Sequence, residues 1–440
     1  MTSSPSLARE LFNMTWPMLF GILSLMSFQL VDSAFIGQLG VVPLAVQGFT
    51  LPIQMLVIGL QVGLGIATTA MIARALGAQN IQYAKQLGGL VLMIGSLGIA
   101  VFSVLIWLMR GPILALLSAP DTVYGTVDDY WPYWLLSAWV GALLYFFYSI
   151  SRANGNTILP GIMMIVTSVL NLVLDPIFIF TLDLGLNGAA LATTVAFGLV
   201  GALVVAPQVS AKRWVSFDWR NLNVGKSLAS IGHIMGPAMI SQLLPPVSSM
   251  MATKLIASFG TAAVASWALG SRFEFFTIVS VLALTMSMPP MVGRLLGANR
   301  IQDIRSVVSI AIRYILLFQL GVALLTFLLA GPLARLMTSE QAVSDILTWH
   351  LLIVPVSLGA LGVCMLMVSV CNALGKSYVA LTISALRLFA FFLPCLWLGA
   401  ELAGLKGLFI GVLVGNLLAG MCAWRMYLQA LAKVESGASN

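Results

Sequence analysis

The chain alternates between long apolar stretches and short polar turns. Twelve apolar stretches recur, at 14–37, 46–71, 87–109, 127–151, 157–181, 188–209, 232–257, 264–291, 306–329, 344–371, 377–399 and 406–428. About 20 apolar residues in a helix cross the hydrocarbon core of a bilayer, where every backbone polar group must be satisfied within the segment. The pattern therefore predicts an all-α polytopic membrane protein with twelve spanning helices. Composition agrees: 60% of the 440 residues are hydrophobic and 8% charged, against about 25% charged in a soluble domain. The first stretch is too long for the apolar region of a signal peptide and lacks a cleavage signal, so it is expected to stay in place.

The net charge of +7 invites a nucleic-acid reading, but its distribution points elsewhere. With twelve spans, fifteen Lys and Arg residues fall on the side that carries both termini and three (Arg110, Arg335, Lys406) on the other. By the positive-inside rule both termini are expected in the cytoplasm. The surplus charge is an orientation signal, and no nucleic-acid partner is expected. The four cysteines (Cys364, Cys371, Cys395, Cys422) lie inside spans without a CxxC pair, and read as free thiols. His233 and His350 are the two histidines, each near a helix end. No HExxH, zinc-type spacing or phosphate-binding glycine loop occurs, so neither an enzyme nor a cofactor is expected.

Sliding the sequence on itself reveals a repeat at 220 residues. Pro17 falls on Pro237 and Gly40 on Gly260; ARALGAQNIQ (Ala73 to Gln82) lies over GRLLGANRIQ (Gly293 to Gln302). GPILALLS (Gly111 to Ser118) lies over GPLARLMT (Gly331 to Thr338), and ANGN (Ala153 to Asn156) over ALGK (Ala373 to Lys376). A one-residue deletion then sets Gly188, Ala192 and Ala196 over Gly407, Gly411 and Gly415. These small-residue stripes let helix backbones approach closely. Six spans per half is an even number, so the halves are parallel, pseudo-symmetric repeats with a site expected between or within them. The division reads 1–209 for the amino-terminal lobe, 210–231 for a cytoplasmic linker and 232–440 for the carboxy-terminal lobe.

Three acids interrupt the apolar runs: Asp32, Asp175 and Glu274. A carboxylate at the bilayer centre costs about 2.5–3.5 kcal/mol, so each needs a partner or a task. Counting from the span ends at about 1.5 Å per residue puts Asp32, Asp175 and Thr193 in one layer, some 8–9 Å below the outer surface. Asn171 lies one turn before Asp175. Pro176 supplies no N–H to the carbonyl of Leu172. The expected site is thus a cluster of oxygen ligands around Asp32, built from Asn171, Asp175, Thr193 and a freed carbonyl. It suits a proton held between two carboxylates that titrate as a pair, or a small cation. In the repeat, Asp32 corresponds to Ala252 and Asn171 to Phe391. The acids therefore serve one lobe only, as function would require and symmetric packing would not. Glu274 is expected to pair with Arg387 inside the second lobe, with a ligand-facing role as the alternative, while Arg272 points to another face and is a candidate to serve a cavity.

These residues resemble the multidrug and toxic compound extrusion (MATE) family. The likeness rests on the span-1 proline followed by LVDSAFIGQLG (Leu30 to Gly40), the ARALGA and GRLLGA turns, RANGN (Arg152 to Asn156), NLVLDP (Asn171 to Pro176) and SRFE (Ser271 to Glu274). The set Asp32, Asn171, Asp175 and Thr193 is similar to the amino-lobe cation site of the DinF-like branch. The resemblance implies a monomeric secondary antiporter of the bacterial inner membrane with two six-helix lobes, expelling cationic amphipathic compounds in exchange for protons or sodium. It also implies that protonation of Asp32 bends the first span, with Pro17 supplying flexibility. Where sodium-coupled relatives carry an acid in span 7, this chain has Pro245, and span 10 has no acid between its ends. Protons are therefore the expected coupling ion and sodium, whose hard charge suits oxygen ligands, the alternative. A related lipid-linked oligosaccharide flippase would need several cations to hold pyrophosphate, and here Arg272 and Arg387 are the candidates. Met and Phe, 22 of each, suit an adaptable apolar surface for varied substrates.

Overall fold

The computed structural model describes residues 4–438, and all regular structure among them is helical. Twelve long helices follow one another: α1 (Ser4–Gly37), α2 (Val41–Gly77), α3 (Ile81–Leu108), α4 (Tyr124–Ala153), α5 (Ile158–Pro176), α6 (Gly185–Val200), α7 (Val224–Ala257), α8 (Thr261–Thr277 and Val279–Gly297), α9 (Ile301–Met337), α10 (Gln341–Ile353 and Leu358–Ala373), α11 (Ser377–Ala385, continuing to 402) and α12 (405–438). Each contains one of the twelve apolar stretches to within a residue or so, except that the stretches of α5 and α6 run on past the regular helix. The last two helices are separated at Ala403 and Gly404, where the backbone leaves helical geometry. In α7, Ser241, Gln242, Ser248, Ser249 and the pair Pro245–Pro246 dilute the apolar character that the other spans show.

Several helices are not uniform. α5 passes after Pro176 into a wide π turn at Ile177–Thr181, and α6 into another at Gly201–Val205. A third wide turn, Leu386–Phe392, interrupts α11. α10 tightens into a 3₁₀ turn at Val354–Ser357, and α8 breaks at Ile278.

The repeat is written in the backbone. Left-handed φ values occur at Gly40 (110°) and Gly260 (102°), at Gln79 (60°) and Asn299 (56°), and at Gly155 (82°) and Gly375 (74°), each pair 220 residues apart. Gly185 (54°) and Gly404 (60°) follow at 219, after the one-residue deletion. The hydrogen bonds repeat as well. Asn80 N–H reaches the Ala75 carbonyl at 2.9 Å and Arg300 N–H reaches Leu295 at 2.9 Å, closing both helices with the same left-handed cap. The halves thus share their turns even where their side chains differ.

The chain forms two compact units, one of Asn13–Met239 and one of 4–12 together with 240–438. Two details differ from the division read in the sequence. The first residues of α1 pack with the later half because Leu7 and Leu11, one turn apart, enter an apolar cluster with Met288, Met291, Val292 and Tyr427. Glu10 adds an ion pair to Arg294 at 3.1 Å. The non-helical connection is also shorter than 210–231, since Asn223 Oδ1 accepts from the Lys226 N–H at 2.9 Å and α7 starts at Val224. That connection docks on α3: a Cβ on Gly89 would lie against the Ser216 carbonyl, and the Ser216 N–H donates to Lys85 O at 2.9 Å.

Glycines set the close helix contacts inside each unit. Gly188 of α6 faces the Phe178 carbonyl, and Gly411 and Gly407 of α12 lie against the backbone of Cys395 and Gly399 on α11. All four cysteines are free thiols, Cys364 and Cys371 buried and the other two half-buried.

Candidate functional site

The placement of Asp32 begins well away from it, where α1 and α5 touch backbone to backbone. A Cβ on Gly161 would lie against the Pro17 carbonyl, and one on Gly21 would lie 2.9 Å from the Gly161 carbonyl. No larger residue fits at either position without parting the helices. From this contact the two helices run on together. Asp32 is eleven residues beyond Gly21, while Asn171 and Asp175 are ten and fourteen beyond Gly161. At 1.5 Å per residue the three groups rise about 15–21 Å from the contact, with Asp32 level with the turn that carries the other two. Phe35 and Phe180, meeting edge-to-face at 6.1 Å between ring centroids, fix the far end.

Within this bracket the polar atoms are enclosed. Asn171 and Asp175 have no exposed surface, and Asp32 is half-buried. Both amide atoms of Asn171 and both carboxylate oxygens of Asp175 lack a hydrogen-bond partner. Asp32 is within Coulombic reach of Asp175 and also of Tyr130 on α4. Thr193, half-buried on α6, sits one residue after the fully buried Ala192 and five after Gly188, the close contact with α5. Pro176 ends the regular part of α5, and the Leu182 N–H reaches back five residues to Ile177 at 2.8 Å. The carboxylate of Asp175 therefore stands at the junction of regular and widened helix, a kind of irregularity common at functional sites.

Tyr130 was not singled out by the sequence, because α4 carries many aromatics and one more phenol has no periodic signature. It is buried, beside Trp131, whose Nε1–H donates to Thr50 Oγ1 at 3.0 Å.

The second unit arranges its charges differently from expectation. Glu274 pairs with His350, not Arg387: Oε1 and Nε2 are 2.5 Å apart. Arg387 lies in the wide turn of α11, half-buried, with Cys364 of α10 as its electrostatic neighbour. Similar depth in the membrane does not bring α8 and α11 side chains together when α10 stands against each of them. Arg272 is exposed. Among the described residues no group of three or more His, Cys, Asp or Glu gathers as a metal site would require.

Known proteins share this architecture and much of this sequence. The MatE family model matches residues 17–177 and again 237–398, once in each repeat. The chain is 30% identical over 429 residues to the FAD transporter of Shewanella oneidensis, covering 96% of this chain and 94% of that one. It is 25% identical over 420 residues to the multidrug export protein MepA of Staphylococcus aureus, covering 94% and 92%. The crystal structure of the Vibrio cholerae MATE transporter VcmN in the bent form superposes with a TM-score of 0.96 at 68% identity, over 99% of each chain. A MATE structure in the straight conformation, at 23% identity, has the same fold with a TM-score of 0.91. With the family model matched in both halves and the whole chain superposing on a transporter of this kind, the protein belongs to the MATE family of membrane transporters.

Proposed function

We propose that the chain is a secondary active multidrug antiporter of the DinF-like branch, exporting cationic amphipathic compounds in exchange for protons. The observation that carries this reading is the set of four buried, unpartnered polar atoms on Asn171 and Asp175 within reach of Asp32. Each such atom costs about 1–3 kcal/mol, so the turn is held at an energetic disadvantage that a bound proton or cation relieves. A protonated carboxyl donates to Asn171 Oδ1 or to the other carboxylate; an ionised one accepts from Asn171 Nδ2. The change of partner occurs one residue before Pro176, where the helix ladder is already open. Loading the proton thus alters a turn of α5 against which α1 is held by Gly161 and Phe180.

The same oxygens, with Thr193 added, suit sodium as the alternative coupling ion. The absence of an acid at Pro245 on α7 supports protons through the first unit. In this reading the protein is a monomer in the bacterial inner membrane with both termini cytoplasmic. Purified protein in proteoliposomes, loaded with a cationic dye and challenged separately with pH and sodium gradients, tests it. Efflux driven by the pH gradient is the expected result; efflux driven by sodium alone replaces the proton, and none under either gradient removes the antiporter.

A second reading, export of a dinucleotide, is favoured by the higher identity to the FAD transporter than to MepA. FAD-loaded vesicles assayed beside the dye decide between them.

A further inference from the structure

The second unit holds a buried ionisable pair that the reading above does not use. His350 on α10 is completely enclosed, with its Nε2 2.5 Å from Oε1 of Glu274 on α8. Two aromatic rings wall it in: Trp267 at 5.5 Å and Phe409 at 5.0 Å between centroids, each inclined at 66°. Gly270, one turn before Glu274, completes the box, since a Cβ there would lie 2.5 Å from the imidazole. Nδ1 is buried and unpartnered. The Glu274 side chain retains 22% exposure and is the pair's contact with its surroundings.

Both helices lose their regular form within about a turn of this pair. α8 breaks at Ile278, four residues past Glu274, and Gln319 of α9 donates to the Thr277 carbonyl there at 3.1 Å. α10 tightens at Val354, four residues past His350, where Asn416 of α12 donates to Ser357 Oγ at 2.9 Å. A charged pair bridging two helices just before each is interrupted can pass its protonation state to the backbone.

The charged residues on this end of the elements packed around His350 are Lys254 on α7, Arg272 and Glu274 on α8, Arg335 on α9, Glu340 and Asp345 at the start of α10, Glu401 on α11 and Lys406 on α12. Lys406 stands 3.8 Å over the ring of Trp349. Among the described residues, Glu274 is the one bonded to the imidazole.

We infer that Glu274 and His350 form a second proton-binding site, in the carboxy-terminal unit and independent of the amino-terminal acids. With the carboxylate ionised and the imidazole neutral, the pair carries one negative charge. One proton, entering at the partly exposed carboxylate, converts it to an imidazolium–carboxylate pair or to its neutral tautomer. A single N–H or O–H bond forms, the net charge falls to zero, and release reverses the step. The inference extends the proton-driven reading but does not rest on Asp32.

The chain has two histidines, so ¹⁵N-histidine labelling of the full-length protein in nanodiscs yields two imidazole groups, assigned with His233→Gln. Spectra recorded from about pH 5 to pH 9 are expected to show the His350 nitrogens gaining and losing the proton. Glu274→Gln should displace the midpoint by about one pH unit or more, and Asp32→Asn should leave the titration in place. His350 signals that do not change across this range in the wild-type protein overturn the inference. A midpoint unmoved by Glu274→Gln, or a titration lost in Asp32→Asn, overturns it equally. Dye efflux tests the earlier reading and the imidazole signals test this one, so either can fail alone.

Discussion

Phe35 of α1 meets Phe180 of α5 edge-to-face at 6.1 Å, three residues beyond Asp32 and five beyond Asp175. With Gly161 against Pro17 at the opposite end, the two contacts hold the acids at one level. In the proposed mechanism that relationship carries a charge change at Asp175 to α1, and substitutions separate the clamp from the chemistry inside it.

Asp32→Asn keeps the size of the side chain and removes its proton equilibrium. Dye efflux driven by a pH gradient in proteoliposomes is expected to fall to background, while the variant elutes as a single species and melts close to the wild-type temperature. Retained efflux would remove Asp32 from the coupling site.

Asn171→Leu replaces two buried, unpartnered atoms with hydrocarbon of similar volume. Removing their desolvation cost should leave the fold unchanged or about 1–2 kcal/mol more stable, with efflux lost. Thermal melts beside transport assays check this. A variant that is destabilised yet transports would mean that the amide is a structural group.

Gly161→Val puts a branched side chain where a Cβ already meets the Pro17 carbonyl. Overpacking of this kind costs about 1–3 kcal/mol, and here the helices must part to accept it. A lower melting temperature and slower efflux are expected together, whereas Gly98→Val, where a Cβ meets nothing within 4 Å, should change neither.

Pro176→Ala returns a backbone N–H to the junction of α5 and its wide turn. The Leu172 carbonyl regains a donor, and the π turn at Ile177–Thr181 is expected to shorten or vanish. A structure of the variant reads the turn directly. Transport should decline if the open ladder is what lets the Asp175 turn respond.

Much of this molecule was legible in the order of its residues, and the parts that were not share a cause. Long apolar runs announce helices, because the bilayer permits little else. The 220-residue register appeared in Gly40 and Gly260, in ARALGA and GRLLGA and in the one-residue deletion, and each recurs as a matched left-handed backbone position. Asn171, Asp175 and Pro176 were visible because a polar turn ending in proline is conspicuous in an apolar helix. Tyr130 and His350 were not, since nothing local marks an aromatic or a histidine whose significance comes from a residue 98 positions away (Asp32) or 76 positions away (Glu274). The Glu274–Arg387 pairing failed for the same reason. Depth along a helix can be counted from sequence, but which neighbour a helix faces cannot.

Residues 214–218 are clasped to α3 through Gly88, Gly89, Lys85 and Gln86, whose Nε2 donates to the Asp218 carbonyl at 2.8 Å. The stretch 220–222, with Arg220 and Asn221 exposed, remains between that clasp and Asn223, which caps α7. A tag or protease site spliced into that short stretch disturbs one local turn, but one spliced at Ser216 must first prise the polypeptide off a surface shaped by two glycines. The seam between the repeats therefore offers a narrow window for cutting the protein into two co-expressed fragments.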